Sequence, residues 1–266
     1  MNELELKQLI EKTAADFFAN DDRDSLPDRE MYKPLGKYCD HTVLRAYTKR
    51  EKVLEFCQEA IEYGAAVVSV MPYNIKPVYE ALKGSGVNTG VAVGFPLGSN
   101  MPQTKAFEAA LAIDDGANEV DMVINIGALR DKEYWFVYED IKGVVDAVKA
   151  KDPSIPVKIV IETCYLDDFE KIAACVISRE AGADYVKTST GFGTDGAYVD
   201  DIKLMRKIVG DTMLIKASTN VTTQAEAMAM IAAGADRVGI SRVKQIVTGD
   251  DNAPSASTTN KAPKYR

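Results

Sequence analysis

Histidine is nearly absent: His41 is the only one in 266 residues. A His-ligated metal centre and a Ser/His/Asp hydrolase both draw on imidazole, so one histidine supplies either poorly. Cysteine is scarce as well. Cys39, Cys57, Cys164 and Cys175 show no paired metal-ligand spacing and read as reduced thiols, mostly core. No apolar run approaches the ~20 residues that a membrane helix needs, and the opening MNELELKQ lacks the basic and apolar regions of a signal peptide. The expected location is cytoplasmic. Basic excess is missing too: 32 Lys and Arg against 40 Asp and Glu give a net charge of −8. That balance argues against nucleic acid or an anionic membrane as partner, while allowing a local anion site in a small-molecule pocket.

What is present is a chain with 46% hydrophobic residues and a regular alternation of patterns. Residues 1–34 carry Leu4, Ile10, Phe17 and Phe18 at roughly helical spacing, then a polar run from Asn20 to Ser25 and Pro27. This segment reads as an added helix and a linker. Residues 35–249 hold eight short β-rich runs, each followed by a longer stretch of helical periodicity. The runs are Lys37 to Thr42, Ala65 to Val70, Gly90 to Val93, Glu119 to Ile124, Val157 to Ile161, Asp184 to Lys187, Met213 to Lys216 and Asp236 to Gly239. Gly64-Ala65, Gly182-Ala183 and Gly234-Ala235 mark places where a helix ends at a left-handed glycine and the chain turns into a strand. Eight such units predict an α/β fold, a (β/α)8 TIM barrel with an additional N-terminal helix. The competing open doubly wound sheet wants a G-x-G-x-x-G turn after its first strand, and none stands there. Residues 250–266 are rich in Ser, Thr, Asn, Ala and Pro without periodicity. They read as a flexible, solvated tail, with Lys261, Lys264, Tyr265 and Arg266 folding over a site mouth as the alternative.

Strands of a parallel barrel are covered on both faces and should be continuously apolar. Asp121, Lys158, Lys187 and Lys216 break that rule in four consecutive strands. Burying a charge costs several kcal/mol unless it is paired. One explanation is a structural ion network in which Asp121, with Glu162, neutralises the lysines. The other is that crowded cations lower the proton affinity of one lysine, and a neutral amine is a nucleophile. Lys187 and Lys216 stand at the ends of their strand runs, where barrel active sites form. Lys158, earlier in its strand, reads as a buried partner and remains a candidate for substrate contact. The residues therefore suggest a Schiff-base aldolase and leave open which lysine reacts.

The run Asp184-Tyr185-Val186-Lys187-Thr188-Ser189-Thr190-Gly191-Phe192-Gly193 resembles the deoxyribose-phosphate aldolases, a class I aldolase family with a (β/α)8 barrel. The likeness extends through Asp40-His41-Thr42, Gly94-Phe95-Pro96-Leu97-Gly98, Glu119 to Leu129 and Lys158 to Cys164, spanning roughly residues 38–249. It implies that Lys187 forms the Schiff base, that Lys216 keeps Lys187 deprotonated, and that Asp121 works with a water in proton transfer. The implied reaction is reversible cleavage of 2-deoxyribose 5-phosphate to acetaldehyde and glyceraldehyde 3-phosphate, with no metal and no cofactor. A homodimer is compatible with the same resemblance. Thr42, Thr188, Gly191, Ser218, Gly239 and Ser241 are candidate substrate contacts; His41 reads as a positioning residue.

The resemblance fails at the phosphate grip. After strand seven the family normally reads Lys-Ala-Ser-Gly-Gly-Ile-Arg-Thr, where this chain has Lys216-Ala217-Ser218-Thr219-Asn220-Val221-Thr222-Thr223. After strand eight, Gly-Thr-Ser-Ser-Gly becomes Gly239-Ile240-Ser241-Arg242-Val243, and strand one ends Leu44-Arg45 in place of Leu-Lys. Side chains at Thr219 and Asn220 are expected to narrow a cradle built for close backbone approach. Either Arg242 replaces the lost arginine and phosphate is kept, or Thr219, Asn220 and Thr222 bind hydroxyls or a carboxylate of another aldol. A non-catalytic ligand-binding barrel is the reading from a different class, and it leaves the joint presence of Asp121, Lys187 and Lys216 unexplained.

Overall fold

The computed structural model describes residues 1–260 and 262. After helix α1 (Glu3–Ala19), strands and helices alternate: β1 (Cys39–Val43), α2 (Arg50–Glu62), β2 (Val67–Val70), α3 (Ile75–Leu82), β3 (Asn88–Val93), α4 (Pro102–Asp114), β4 (Glu119–Val123), α5 (Ile126–Arg130), α6 (Tyr134–Lys151) and β5 (Val157–Val160). They continue as α7 (Asp168–Glu180), β6 (Tyr185–Lys187), α8 (Val199–Val209), β7 (Leu214–Ser218), α9 (Gln224–Ala232), β8 (Arg237–Ile240), α10 (Val243–Thr248) and α11 (Ala256–Thr259). The eight strands close a parallel barrel in chain order, with β1 paired to both β2 and β8. The (β/α)8 expectation holds. Gly64, Gly182 and Gly234 all have positive φ, as the Gly-Ala pairs predict.

Two strand limits bear on the site. β7 runs two residues past Lys216 to Ser218, and Lys216 aligns with Lys187 across the β6–β7 ladder. Only Lys187 therefore ends its strand; Lys216 lies inside the barrel. In the same register Asp121 stands opposite Lys158, so consecutive strands present charges to one another across their ladders.

The N-terminal helix buries Leu6, Ile10, Ala14 and Phe17, a stripe at helical spacing, against the flank formed by α6 and α7, and leaves Leu4 and Phe18 exposed. A reciprocal Asn2–Glu5 capping box starts it. The linker then descends. Arg23 pairs with Asp168 at 2.9 Å at the start of α7, Arg29 with Asp211 at 2.6 Å, and Lys33 Nζ donates to the Asp236 carbonyl at 3.1 Å beneath β8. Residues 253–260, aperiodic in sequence, pack on the barrel through polar groups. Gln245 Nε2 donates to the Ala253 carbonyl at 2.6 Å, the Ala256 amide to Glu59 Oε1 at 2.5 Å, and Asn260 Nδ2 to Thr48 Oγ1 at 2.9 Å. Lys261, Lys264, Tyr265 and Arg266 lie outside the described residues. Among the described residues no helix is long and apolar enough to cross a membrane.

Candidate active site

The four strand charges meet in one buried network with three further partners. Asp121 Oδ2 accepts from Lys187 Nζ at 2.7 Å and from Lys216 Nζ at 2.8 Å, while Lys158 reaches Oδ1 at 3.2 Å. Asp40 on β1 lies 2.6 Å from Lys216 and 3.6 Å from Lys158, and accepts from Arg237 on β8 at 2.7 Å. Glu119 pairs with Lys158 and lies 3.5 Å from Arg237. Three carboxylates thus face four cations. With Lys187 neutral the set balances; with Lys187 protonated it carries one excess positive charge.

The electrostatics follow. Burial alone would raise Asp121, yet Lys158, Lys187 and Lys216 hold it well below the usual carboxylate range. Burial disfavours the ammonium form of Lys187, Asp121 opposes that effect, and the Lys216 charge reinforces it, leaving Lys187 at about 8. Lys158 is driven the other way: burial opposes its charge, but Asp121, Glu119 and Asp40 raise its proton affinity. Neighbours of one residue type are thus divided into a fixed cation and a titratable amine.

Above the network, at the C-terminal ends of the strands, lies a cavity of about 340 Å³ lined by Thr42, Arg45, Lys187, Gly191, Phe192, Ser218, Thr219, Asn220, Gly239 and Ser241 among others. Of the charged strand residues, only Lys187 lines it. Lys216 and Asp121 sit beneath, within hydrogen-bond reach of Lys187 or its partner oxygen. Lys158 is wholly buried and outside the lining, so its expected substrate contact is not realised: three carboxylates hold it below the floor. Thr188 is likewise buried away from the cavity. Its hydroxyl donates to the Ser218 carbonyl at 3.2 Å and accepts from the Ser218 amide at 3.0 Å, fastening β6 to β7. Arg242 precedes α10 and does not line the cavity either.

Glu162 does not join the lysines. It accepts from the Thr190 amide at 3.1 Å and from the Thr190 hydroxyl, shaping the loop after β6. His41 is buried, its ring stacked 4.6 Å from Phe56 and its Nε2 3.3 Å from Glu59; burial lowers its proton affinity.

The loop after β7 departs from expectation in an informative way. Thr219 and Asn220 keep positive φ, at 69° and 62°, the conformation suited to a glycine pair. Thr219 packs over Gly196, where a Cβ would come within 2.7 Å of it, while Asn220 Nδ2 donates to Asp195 Oδ1 at 2.5 Å. Tyr198 donates to the other Asp195 oxygen at 2.5 Å. The new side chains thus engage the β6 loop while the backbone retains its left-handed path. Gly239 leaves room for Ser218, since a Cβ there would stand 2.1 Å from Ser218 Oγ and displace that hydroxyl.

Asp40, Glu119 and Arg237 were not singled out by sequence reasoning. Glu119 shares a strand face with Asp121 by the two-residue period, a usable signal. Asp40 and Arg237 meet only because the barrel closes β1 on β8.

The model of the DeoC/LacD family aldolases matches residues 35–248. A deoxyribose-phosphate aldolase of Aciduliprofundum boonei is 50% identical over 81% of this chain and 96% of its own length. One from Thermococcus gammatolerans is 50% identical over 82% and 97%. The tetrameric deoxyribose phosphate aldolase from Aeropyrum pernix superposes with a TM-score of 0.76 at 28% identity, covering 82% of this chain and 91% of that one. A lysine at a strand end open to the cavity, the charge layer beneath it and a match across nearly the whole barrel converge: the chain belongs to the DeoC/LacD aldolase family.

Proposed function

We propose that this chain is a class I aldolase that reversibly cleaves 2-deoxyribose 5-phosphate to acetaldehyde and glyceraldehyde 3-phosphate. The observation that carries the reading is the charge count: Lys187 is the network member open to the cavity, and its neutral form balances the layer beneath. Neutral Lys187 Nζ attacks the C1 aldehyde, and loss of water gives a protonated imine. The C2–C3 bond then breaks as its electron pair flows into the iminium and forms an enamine, while the C3 hydroxyl gives up its proton through a water and Asp121. Protonation of the enamine at C2 and hydrolysis release acetaldehyde and free the lysine. Lys216 supplies the charge that keeps Lys187 deprotonated. Thr42, Gly191, Ser218, Thr219, Asn220, Gly239 and Ser241 line the space the substrate fills.

Borohydride reduction in the presence of acetaldehyde is expected to leave an ethyl group on Lys187, located by peptide mass spectrometry. Modification of Lys216 instead, or cleavage by Lys187→Leu at the unmodified enzyme's rate, would sink the assignment.

Two further features belong to the proposal. Tyr79 on α3 and Met101, Phe107 and Leu111 at α4 leave apolar surface exposed, which suits a homodimer; a monomeric mass in light scattering at micromolar concentration would refute it. The cysteines are free, consistent with the reducing cytoplasm; cell fractionation placing the protein outside it would count against that location.

A further inference from the structure

The cavity is electrostatically unlike the rest of the molecule. The chain carries a net charge of −8, yet among the described residues no carboxylate lines this space and two cations do, Lys187 and Arg45. Lys187 sits at the floor as the nucleophile. Arg45 lies on the segment after β1, in a different part of the chain from the loops after β7 and β8. Nearby cations of the adjoining cleft are engaged elsewhere: Arg23 with Asp168 at 2.9 Å and Lys171 with Asp201 at 2.7 Å. Arg242 does not line the cavity.

Arg45 is also held in place. Its guanidinium lies 4.4 Å over the Phe192 ring, and its Nη2 donates to the Gly191 carbonyl at 3.3 Å. Phe192 is itself braced edge-on against Phe95 at 5.3 Å, and its amide donates to Thr190 Oγ1 at 3.0 Å. A guanidinium stacked on an aromatic face and fixed by one N–H keeps most of its donor fork for a ligand, and phosphate oxygens match that fork. The same cavity is lined by Thr219 and Asn220, whose backbone is left-handed, and by Ser241.

We infer that Arg45 is the specificity-determining residue that binds the anionic phosphate monoester end of the aldol, in place of an arginine on the loop after β7. This rests on the aldolase reading above and names the residue through which that site selects a phosphorylated substrate. The electrostatic layout is bipolar along the cavity: an amine that must be neutral at the floor, and a permanent cation at the rim that holds the charged end away from it.

The test is the ratio of kcat/KM for 2-deoxyribose 5-phosphate to that for 2-deoxyribose. Loss of one charge-assisted contact is expected to lower this ratio at least about tenfold in Arg45→Ala, chiefly through KM for the phosphorylated substrate. Arg45→Lys should fall between, because charge remains and the fork does not, whereas Arg242→Ala should keep the ratio. Equal losses on both substrates would assign Arg45 a merely structural role on Phe192 and overturn the inference, as would a fall in the ratio for Arg242→Ala alone. Equal use of both substrates by the unmodified enzyme overturns it too while leaving the aldolase reading intact. Inorganic phosphate titrated by calorimetry reads the anion site without turnover. Binding that needs Arg45 in a chain that cleaves neither sugar would retain the site and sink the reaction; equal binding by Arg45→Ala would sink the site.

Discussion

At the scale of single residues, the chemistry depends on two neighbours that act on Lys187 with opposite sign. Lys216 lowers its proton affinity and Asp121 raises it, with burial the larger contribution. Lys216→Ala is therefore expected to move the rise of kcat/KM from about 8 in the unmodified enzyme to higher pH. Asp121→Asn should move it lower while reducing the maximum, because the relay is lost. Matched pH–rate profiles check both, and two shifts in the same direction would refute the electrostatic assignment. The lysines were legible in the sequence as charges misplaced in apolar strands. Asp40 and Arg237 were not, because partners contributed by opposite ends of the chain become neighbours only on closure.

At the scale of elements, the loops after β6 and β7 behave as one laced unit. Asp195 receives hydrogen bonds from Asn220 and Tyr198, and Thr219 fills the space that Gly196 leaves. A β-branched residue in the left-handed region costs of order 1 kcal/mol or more. Thr219→Gly removes that strain but adds freedom to the unfolded chain, which offsets part of the relief, so a small net gain of about a few tenths of a kcal/mol is expected in urea denaturation. A loss would mean that packing on Gly196 outweighs the backbone strain. Sequence comparison exposed the substitution but not its direction: obstruction of the cradle was the natural reading, and only Gly196 and Asp195 of the neighbouring loop show how the side chains are accommodated. The docked segment around α11 was hidden for a related reason. Its hydrogen-bond partners, Gln245, Glu59 and Thr48, come from three other parts of the chain, so nothing periodic within it announces order.

At the scale of the whole molecule, the eight-unit alternation was fully legible, since short Val- and Ile-rich runs between amphipathic helices admit few closed arrangements. Stability is the less visible property. Lys187 titrates near 8 in the folded protein against its ordinary 10.5. Below about 8 both states hold the proton, and the folded state bears the cost of burying it. Between 8 and 10.5 the unfolded chain still binds a proton that the folded chain has released, so stability rises with pH across that window. Lys187→Met is accordingly expected to be more stable than the unmodified protein below pH 8, with the advantage shrinking toward pH 10.5. Calorimetric melting points at pH 7 and pH 10 test this, and an advantage that grows with pH would contradict it.

The charge layer also divides the molecule by how freely it can change over generations. Each of Asp40, Glu119, Asp121, Lys158, Lys216 and Arg237 answers at least one opposite charge inside the barrel, so replacing any one alone strands a partner without solvent to stabilise it. Such positions can move only in concert, and single-step drift is blocked there. The rim is under no such pact: Arg45, Thr219, Asn220 and Ser241 border open space, so exchanging one of them leaves no buried charge unpaired. A change of substrate in this barrel is therefore open to single steps around its mouth, while a change in its floor calls for paired ones.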